Sequence, residues 1–292
     1  MQTRRIETAT SRTAEFTCVY RAASSLEHSA CYHSDDVLAP RLLPGLIQPL
    51  VRLPWIRRFY SHVIAPRGTY EYVIARTKYI DAVFQDALAA GFDQALIFGA
   101  GFDTRALRFP AGQTRIFELD APATQAAKLG QYRRRGLEVP SGVAFIPIDF
   151  ERQALPARLV EAGFRRHLKS LFVLEGLTMY LRPEAVELTF RDIHDFAGPG
   201  SRVVFDYVYA SVLRGEGSIY GREISRTVAG ADEHWLFGLE EGAIQPFLAR
   251  HGLRLLDHKT PAQLEQAYFT DAAGRRLGRV NGAHCLVLAE KA

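Results

Sequence analysis

The chain has 292 residues, of which 48% are hydrophobic and 23% are charged, and its formal net charge is +4. This composition is typical of a soluble globular domain and differs from that of disordered or fibrous chains. The apolar runs are far shorter than the roughly 18 residues that a membrane span needs. Basic residues are scattered and form no stripe of the kind that binds nucleic acid. We therefore expect neither a membrane nor a nucleic acid as a partner.

The N-terminal residues include two arginines but no apolar stretch behind them, which predicts that the chain has no secretory signal. Three cysteines, Cys18, Cys31 and Cys285, show neither a CxxC motif nor metal-ligand spacing. We expect a reducing, cytoplasmic setting and no bound metal. Nothing in the pattern indicates an oligomeric state.

Short apolar runs and amphipathic stretches alternate from about Gly91 to the C-terminus. Residues 1–67 are rich in proline and aromatic residues, which predicts an irregular segment, and a helix follows it to Ala90. The apolar runs predict strands at 95–98, 115–119, 143–147, 170–175 and 202–206, and the stretches between them predict helices near 121–135, 151–163, 183–197 and 240–251. Two further strand-like runs, 253–259 and 283–291, have no convincing helix between them.

This alternation predicts an α/β fold: a Rossmann-like, doubly wound sheet of seven mostly parallel strands that ends in an antiparallel pair. We expect residues 68–292 to form this domain and residues 1–67 to form a helical or irregular cap. Residues 207–238 break the alternation and predict an insertion on the substrate side. Long connections of this kind are usually functional or disordered.

The turn after the first predicted strand contains Gly99, Ala100 and Gly101, and it allows the backbone to approach a ligand closely. A dinucleotide-binding fingerprint would place Gly or Ala where Thr104 stands. The turn therefore indicates an adenosine-bearing ligand but departs from the usual sequence of a site for NAD.

Acidic residues follow the next three predicted strands: Asp120, Asp149 and Glu175. Ligands of open parallel sheets bind at the carboxyl ends of the strands, so these side chains predict one shared site. Carboxylates suit ribose hydroxyls, an adenine amino group and an ammonium, and they would repel a pyrophosphate. The series favours S-adenosylmethionine over NAD.

Each of these residues also has a plain structural interpretation. Asp120 and Asp149 could cap the helices that follow them, and the two glycines could form an ordinary turn. A nicotinamide-dependent oxidoreductase and a catalytically silent ligand-binding module on the same fold therefore stay open as alternatives.

Four segments resemble the leucine carboxyl methyltransferase family of class I methyltransferases, which includes tetracenomycin-type polyketide O-methyltransferases. They are "GAGFDTRALRF" (99–109), "FELDAP" (117–122), "IPIDF" (146–150) and "LEGLTMYL" (174–181), in that order and spacing. The resemblance extends from about residue 70 to the end. It implies an S-adenosylmethionine-dependent O-methyltransferase that acts on a hydroxyl or carboxyl group of a small molecule, such as an aromatic polyketide of secondary metabolism.

The resemblance also implies roles for individual residues in binding the cofactor. Arg76 would pair with the methionine carboxylate, and Glu175 with the methionine ammonium. The remaining implied contacts are those of Gly99 and its neighbours with the methionine chain, of Asp120 with the ribose, and of Asp149 and Phe150 with the adenine. Phe150 stands where the family usually has leucine, which is a mild departure.

The substrate side is less clearly marked in the sequence. We expect His234 and Tyr207 as candidate catalytic residues, and we expect Tyr180 and Trp235 to contact the acceptor. Asp206 is a further candidate base. A phenol acceptor would benefit from a base because its unperturbed pKa lies near 10, whereas a carboxylate acceptor would not need one.

Overall fold

The computed structural model describes residues 10–60, 63, 65–150, 155–216, 223 and 234–292. Its helices are α1 (Arg12–Ser24), α2 (Ala39–Leu42), α3 (Ile47–Val51), α4 (Pro54–Phe59), α5 (Thr69–Ala89), α6 (Arg105–Arg108), α7 (Pro122–Arg134), α8 (Leu155–Glu161), α9 (Pro183–Phe196), α10 (Ala210–Leu213), α11 (Ile244–Arg250) and α12 (Pro261–Tyr268). Its strands are β1 (Gln94–Phe98), β2 (Arg115–Asp120), β3 (Val143–Pro147), β4 (Ser170–Leu174), β5 (Arg202–Val208), β6 (Leu253–Lys259) and β7 (His284–Lys291). A 3₁₀ turn spans Thr178–Tyr180.

The strands form one sheet in the order β3-β2-β1-β4-β5-β7-β6. Strands β1 to β5 pair in parallel, and β7 lies antiparallel between β5 and β6. The predicted fold class, a mostly parallel seven-stranded sheet with a terminal antiparallel pair, is confirmed. The strand order reverses between β1 and β4, and the carboxyl ends of the strands at such a point open a crevice for a ligand.

Helices cover both faces of the sheet and enclose two hydrophobic cores. Because side chains alternate along a strand, Ala95 and Ile97 of β1 belong to one core, and Leu96 and Phe98 belong to the other. The first core is closed by α1 and α5, and the second by α9 and α11. This alternation decides which residues near the strand ends can reach the crevice.

The N-terminal segment is mainly helical where the structure describes it. Of the two expected forms of the cap, helical or irregular, the described residues have the helical one, and the irregular structure suggested by the prolines is not found there. Helix α1 is capped by Ser11, whose hydroxyl accepts the N–H of Ala14 at 3.1 Å. Pro40 and Pro54, which suggested irregular structure, lie in the first turns of α2 and α4. Proline is compatible with a helix at these positions, because the first N–H groups have no partner within the helix.

A second correction concerns the chain between β6 and β7, where helix α12 lies. Thr260 and Gln263 form a capping box, in which each side chain accepts the backbone N–H of the other residue. Threonine followed three residues later by glutamine is a helix-start signal, and Pro261 stands in the first turn. This signal is present in the sequence, and the helix that it starts has eight residues.

Parts of two predicted elements lie outside the described residues. They are 151–154 of the predicted helix 151–163, and 217–222 and 224–233 of the predicted insertion 207–238. The described part of that insertion comprises the end of β5, α10 and the residues from His234 onward.

Candidate functional site

A cavity of about 650 Å³ lies at the carboxyl ends of the parallel strands. Its floor includes residues that follow β1, β2, β3 and β4, and its walls come from α1, α5 and the segment 234–236. The predicted cofactor residues all line this cavity: Arg76, Gly99, Ala100, Gly101, Asp120, Asp149, Phe150 and Glu175. The size is in the usual range for a small-molecule site, roughly 300–1,000 Å³.

The glycine turn after β1 bends toward the carboxylate at the end of β2. Gly99 and Gly101 have φ values of 62° and 48°, which a residue with a side chain rarely adopts. The N–H of Gly101 donates to one oxygen of Asp120, and the N–H of Ala121 donates to the other at 2.6 Å. Burial raises the pKa of Asp120 to about 6, although these two N–H groups oppose the shift.

The residues that follow β3 form the next part of the cavity wall. Asp149 and Phe150 both line the cavity, and the Phe150 ring stacks on Phe98 of β1 with centroids 5.8 Å apart. An apolar ring beside a carboxylate offers a flat surface and a hydrogen-bond acceptor to a heterocyclic base.

Arg76 and Glu175 form a buried ion pair near the point where the strand order reverses, between β1 and β4. Arg76 Nε lies 2.9 Å from Glu175 Oε1, and Arg76 Nη1 lies 3.0 Å from Asp206 Oδ2. Asp206 also accepts the hydroxyl of Tyr72 at 2.5 Å and the N–H of Gly176 at 2.6 Å. Asp206 is therefore fully occupied in holding Arg76 and the turn after β4, and it does not line the cavity.

Arg105 bonds to Glu175 of this ion pair without lining the cavity, and it was not among the predicted site residues. Its guanidinium is almost fully buried and bonds to Glu175 at 2.6 Å, to Asp81 at 2.7 Å and to Asp103. Burial raises the pKa of Glu175, but Arg105 and then Arg76 lower it by more, so the net shift is downward. Arg105 stands inside one of the quoted segments, yet a fully buried arginine cannot be distinguished from a surface one by its position in a short helix.

Helix α1 is fastened over the glycine turn. Arg21 donates to the carbonyl of Phe102 at 2.8 Å and pairs with Asp36 at 2.7 Å. The methyl group of Ala14 approaches Gly101 so closely that a Cβ added there would lie 3.2 Å from it. Helix α1 thus closes the cavity on the side of the glycine turn.

The other end of the cavity is walled by aromatic residues. Tyr180, His234 and Trp235, three of the predicted substrate-side residues, all line it. The segment that carries His234 and Trp235 is held in place because the N–H of Leu236 donates to the carbonyl of Met179 at 2.7 Å.

Tyr207, the other candidate catalytic residue, lies elsewhere. We expected it beyond the end of the fifth strand, but β5 continues to Val208, so Asp206 and Tyr207 point to opposite faces of the sheet. Tyr207 is buried in the second core, where its hydroxyl bonds to His258 Nε2 at 3.1 Å. It does not line the cavity.

His284 lines the cavity and was missed by the sequence analysis. It is the first residue of β7 and pairs with Val208, the last residue of β5. Because β7 is antiparallel to β5, its first residue lies at the edge where the parallel strands end. The signal was therefore the antiparallel pairing itself, combined with a histidine at the start of the last strand.

Comparisons with known proteins found similar sequences and similar folds. A model of the family described as leucine carboxyl methyltransferase matches residues 16–194. The chain is 28% identical over 201 residues to YktD of Bacillus subtilis (strain 168), covering 68% of this chain and 66% of that protein. It is 30% identical over 226 residues to a protein of Saccharopolyspora erythraea, covering 76% of each. Both relatives are named as candidate S-adenosyl-L-methionine-dependent methyltransferases.

The fold is shared with a crystal structure of a methyltransferase candidate from Thermobifida fusca YX. The TM-score is 0.62 at 16% identity, and the match covers 98% of this chain and 97% of the other. The described part of this chain has no helix that is long and apolar enough to span a membrane.

Proposed function

Since the chain belongs to the leucine carboxyl methyltransferase family, we propose that it transfers the methyl group of S-adenosylmethionine to a hydroxyl group of an apolar small molecule. The observation that carries this proposal is the series of groups along one cavity wall: the glycine turn, Asp120, Asp149 with Phe150, and the Arg76–Glu175 pair.

The cavity residues fit the chemistry of that methyl donor. Asp120 at the end of β2 can accept hydrogen bonds from ribose hydroxyls, and Phe150 can contact the adenine beside Asp149. The guanidinium of Arg76 suits a carboxylate, and Glu175 suits an ammonium. When bound, S-adenosylmethionine supplies a methyl group that its sulfonium has already activated. The protein then has to align the acceptor with that methyl group and exclude water.

The charges around the cavity favour a hydroxyl acceptor over a carboxylate. Among the described residues that line it, the two arginines are already paired: Arg21 with Asp36, and Arg76 with Glu175 and Asp206. An acceptor carboxylate at the aromatic end of the cavity would therefore find no unpaired arginine or lysine among the described lining residues. Burying an uncompensated charge there would be costly.

The aromatic wall gives the expected shape and polarity of the acceptor. Tyr180 and Trp235 offer flat apolar surfaces to a ring. The indole N–H of Trp235 is buried and donates to no atom of the described residues. A carbonyl or ether oxygen on the acceptor would satisfy this donor. An oxygenated aromatic compound, such as an aromatic polyketide of secondary metabolism, has both features.

The proposal is tested by binding and transfer measurements on the purified chain. Calorimetric titration should detect S-adenosylmethionine and its demethylated product, and it should detect no comparable binding of NAD. Methyl transfer should then be followed by mass spectrometry on matched acceptors, for example 2-naphthol and 2-naphthoic acid. We expect the hydroxyl compound to be methylated faster. Binding of NAD with equal affinity, or exclusive methylation of the acid, would reject the proposal.

A further inference from the structure

His284 is held rigidly at the acceptor end of the cavity. Its backbone is fixed by the pairing of β7 with β5, and only 4% of the residue is exposed. Its ring stacks on Tyr72 with centroids 4.1 Å apart, and it meets the Trp235 ring edge-on at 5.1 Å. The ring therefore has one orientation and cannot swing away from the cavity.

The hydrogen bonds around Asn281 determine which ring nitrogen of His284 carries the proton. The side chain of Asn281 places its Oδ1 3.0 Å from the backbone N–H of Ala283, which can only donate, so this atom is the amide oxygen. Nδ1 of His284 lies 3.0 Å from the same oxygen. Since an oxygen can only accept here, Nδ1 carries the hydrogen. In the neutral ring, Nε2 is then an unprotonated nitrogen with a free lone pair.

Nε2 is the ring atom that stays available to a ligand. It forms no hydrogen bond with the part of the chain that the structure describes, whereas Nδ1 is occupied. The titratable and charged groups around the ring are Tyr72 and Arg76 of α5, Asp206 of β5 behind the Tyr72 hydroxyl, and His234 on the facing segment. Burial, followed by the positive charge of Arg76, lowers the pKa of His284 well below 6.5. The ring is therefore neutral at pH 7.

We propose that Nε2 of His284 accepts the proton of the acceptor hydroxyl during methyl transfer, with Asn281 as the residue that sets its tautomer. This inference rests on the proposed function, because it requires a hydroxyl acceptor. The acceptor oxygen forms a bond to the methyl carbon, the carbon–sulfur bond breaks with its electron pair left on sulfur, and the hydroxyl proton moves to Nε2. The positive charge of the sulfonium thus ends on the imidazolium of His284.

A weakly basic imidazole is sufficient for this step. A neutral phenol holds its proton firmly, but its oxygen becomes strongly acidic as the new carbon–oxygen bond forms. Nε2 first accepts a hydrogen bond, which orients an oxygen lone pair toward the methyl group, and it receives the proton late in the transfer.

Kinetics on two phenols of different acidity separate this role from a structural one. With a neutral naphthol, we expect His284→Gln to lower kcat by roughly 10²-fold or more, which is the usual contribution of a positioned base. With a nitrophenol that is already ionised at the assay pH, the loss should shrink to a few-fold, because no proton has to be removed. Affinity for S-adenosylmethionine should stay within a few-fold of the unsubstituted protein. His28→Gln is the matched control, since His28 is exposed and lies outside the cavity.

Two further measurements bear on the tautomer. Nitrogen-15 NMR of the histidine rings should show the His284 ring neutral at pH 7, with hydrogen on Nδ1 alone. Asn281→Asp places a carboxylate against Nδ1, and this should raise the pKa of His284 and move the acid limb of the kcat profile to higher pH. A proton on Nε2 instead of Nδ1 would overturn the assignment.

The outcomes distinguish failure of the base from failure of the function. If the unsubstituted protein methylates no hydroxyl compound, the proposed function fails and the role of His284 falls with it. If it methylates naphthol and His284→Gln does so equally well, only the inference about His284 is overturned. Loss of naphthol activity in His234→Gln, with retention in His284→Gln, would assign the base to His234 instead.

Discussion

Arg76 and Glu175 contact each other through Nε and Oε1 at 2.9 Å, and both side chains border the same cavity. The ammonium and carboxylate of a methionine are attached to one carbon atom, so an adjacent pair of opposite charges can receive both groups. Asp206 bonds to Arg76, and Arg105 bonds to Glu175. Both side chains of the pair are therefore already ordered, so binding costs less side-chain entropy.

We expect Arg76→Gln and Glu175→Gln to weaken binding of S-adenosylmethionine by roughly 10- to 100-fold, since each removes a charge-assisted hydrogen bond worth about 1.5–3 kcal/mol. Binding of adenosine, which has neither charged group, should change little. Calorimetry with both ligands measures the ratio, and Arg254→Gln, at an arginine with 63% side-chain exposure, is the control. An equal loss for adenosine would mean that the substitutions damage the whole cavity.

Binding of S-adenosylmethionine should weaken in acid because of Asp120. Burial raises the pKa of this carboxyl to about 6 in the free protein. Ribose hydroxyls donate to the ionised form and would lower the pKa in the complex, so the ligand must displace a proton below pH 6. We expect the dissociation constant to be constant between pH 7 and 8 and to rise toward tenfold per pH unit below about pH 6.

Titration calorimetry between pH 5 and 8 checks this dependence, and Asp120→Asn provides the comparison. The variant should bind more weakly at pH 7 but should lose the additional decline in acid. The same acid limb in Asp120→Asn would assign the titration to another group.

Arg105→Met should destabilise the protein by roughly 3–5 kcal/mol, because Asp81, Asp103 and Glu175 would lose a shared buried partner. Burial raises the pKa of Asp103, but Arg105 and other cations lower it to about 2. The unsubstituted protein therefore loses this stabilisation as the pH falls from about 4 to 2. Without Arg105, the buried carboxyl groups of the variant would bind protons at higher pH. The difference in free energy of unfolding between the unsubstituted protein and the variant should therefore be largest at pH 7 and smaller near pH 4.

Urea unfolding at pH 7 and pH 4 measures both quantities. Arg254→Met removes an exposed ion pair with Glu290 and should cost less than about 1 kcal/mol. A cost of similar size for Arg105→Met would show that the buried network contributes no more than a surface pair.

The sheet, and the meeting of four predicted site residues at one cavity, could be predicted from the sequence for a physical reason. A parallel sheet brings all strand ends to one edge, so Gly99, Asp120, Asp149 and Glu175 were placed together by topology alone. These residues could be recognised as neighbours without knowledge of how the side chains pack.

The residues that were misplaced or missed depend on side-chain packing or on a shift of one residue along a strand. Tyr207 was expected at the cavity. It is the next residue after Asp206 in β5, so its side chain points to the opposite face of the sheet. Arg105 acts through three partners brought together by α5, β4 and the turn after β1. His284 requires knowledge that β7 enters the sheet between β5 and β6. The first two of these facts have no local sequence signal.

Trp235→Ala should impair the acceptor site while sparing the cofactor site. The indole lines the cavity and contacts the His284 ring. Arg76 lies on α5 and Asp120 at the end of β2, and both are held by residues other than Trp235. Loss of a stacking ring should raise KM for an aromatic acceptor by roughly tenfold or more, and Trp235→Phe should restore most of it. Affinity for S-adenosylmethionine should stay within a few-fold.

The chain's other tryptophan, Trp55, is 70% exposed and lies outside the cavity, so Trp55→Ala is the matched control. Steady-state kinetics and calorimetry on the three variants measure these effects. If Trp235→Ala weakened cofactor binding as strongly as it raised KM, Trp235 would belong to the cofactor wall.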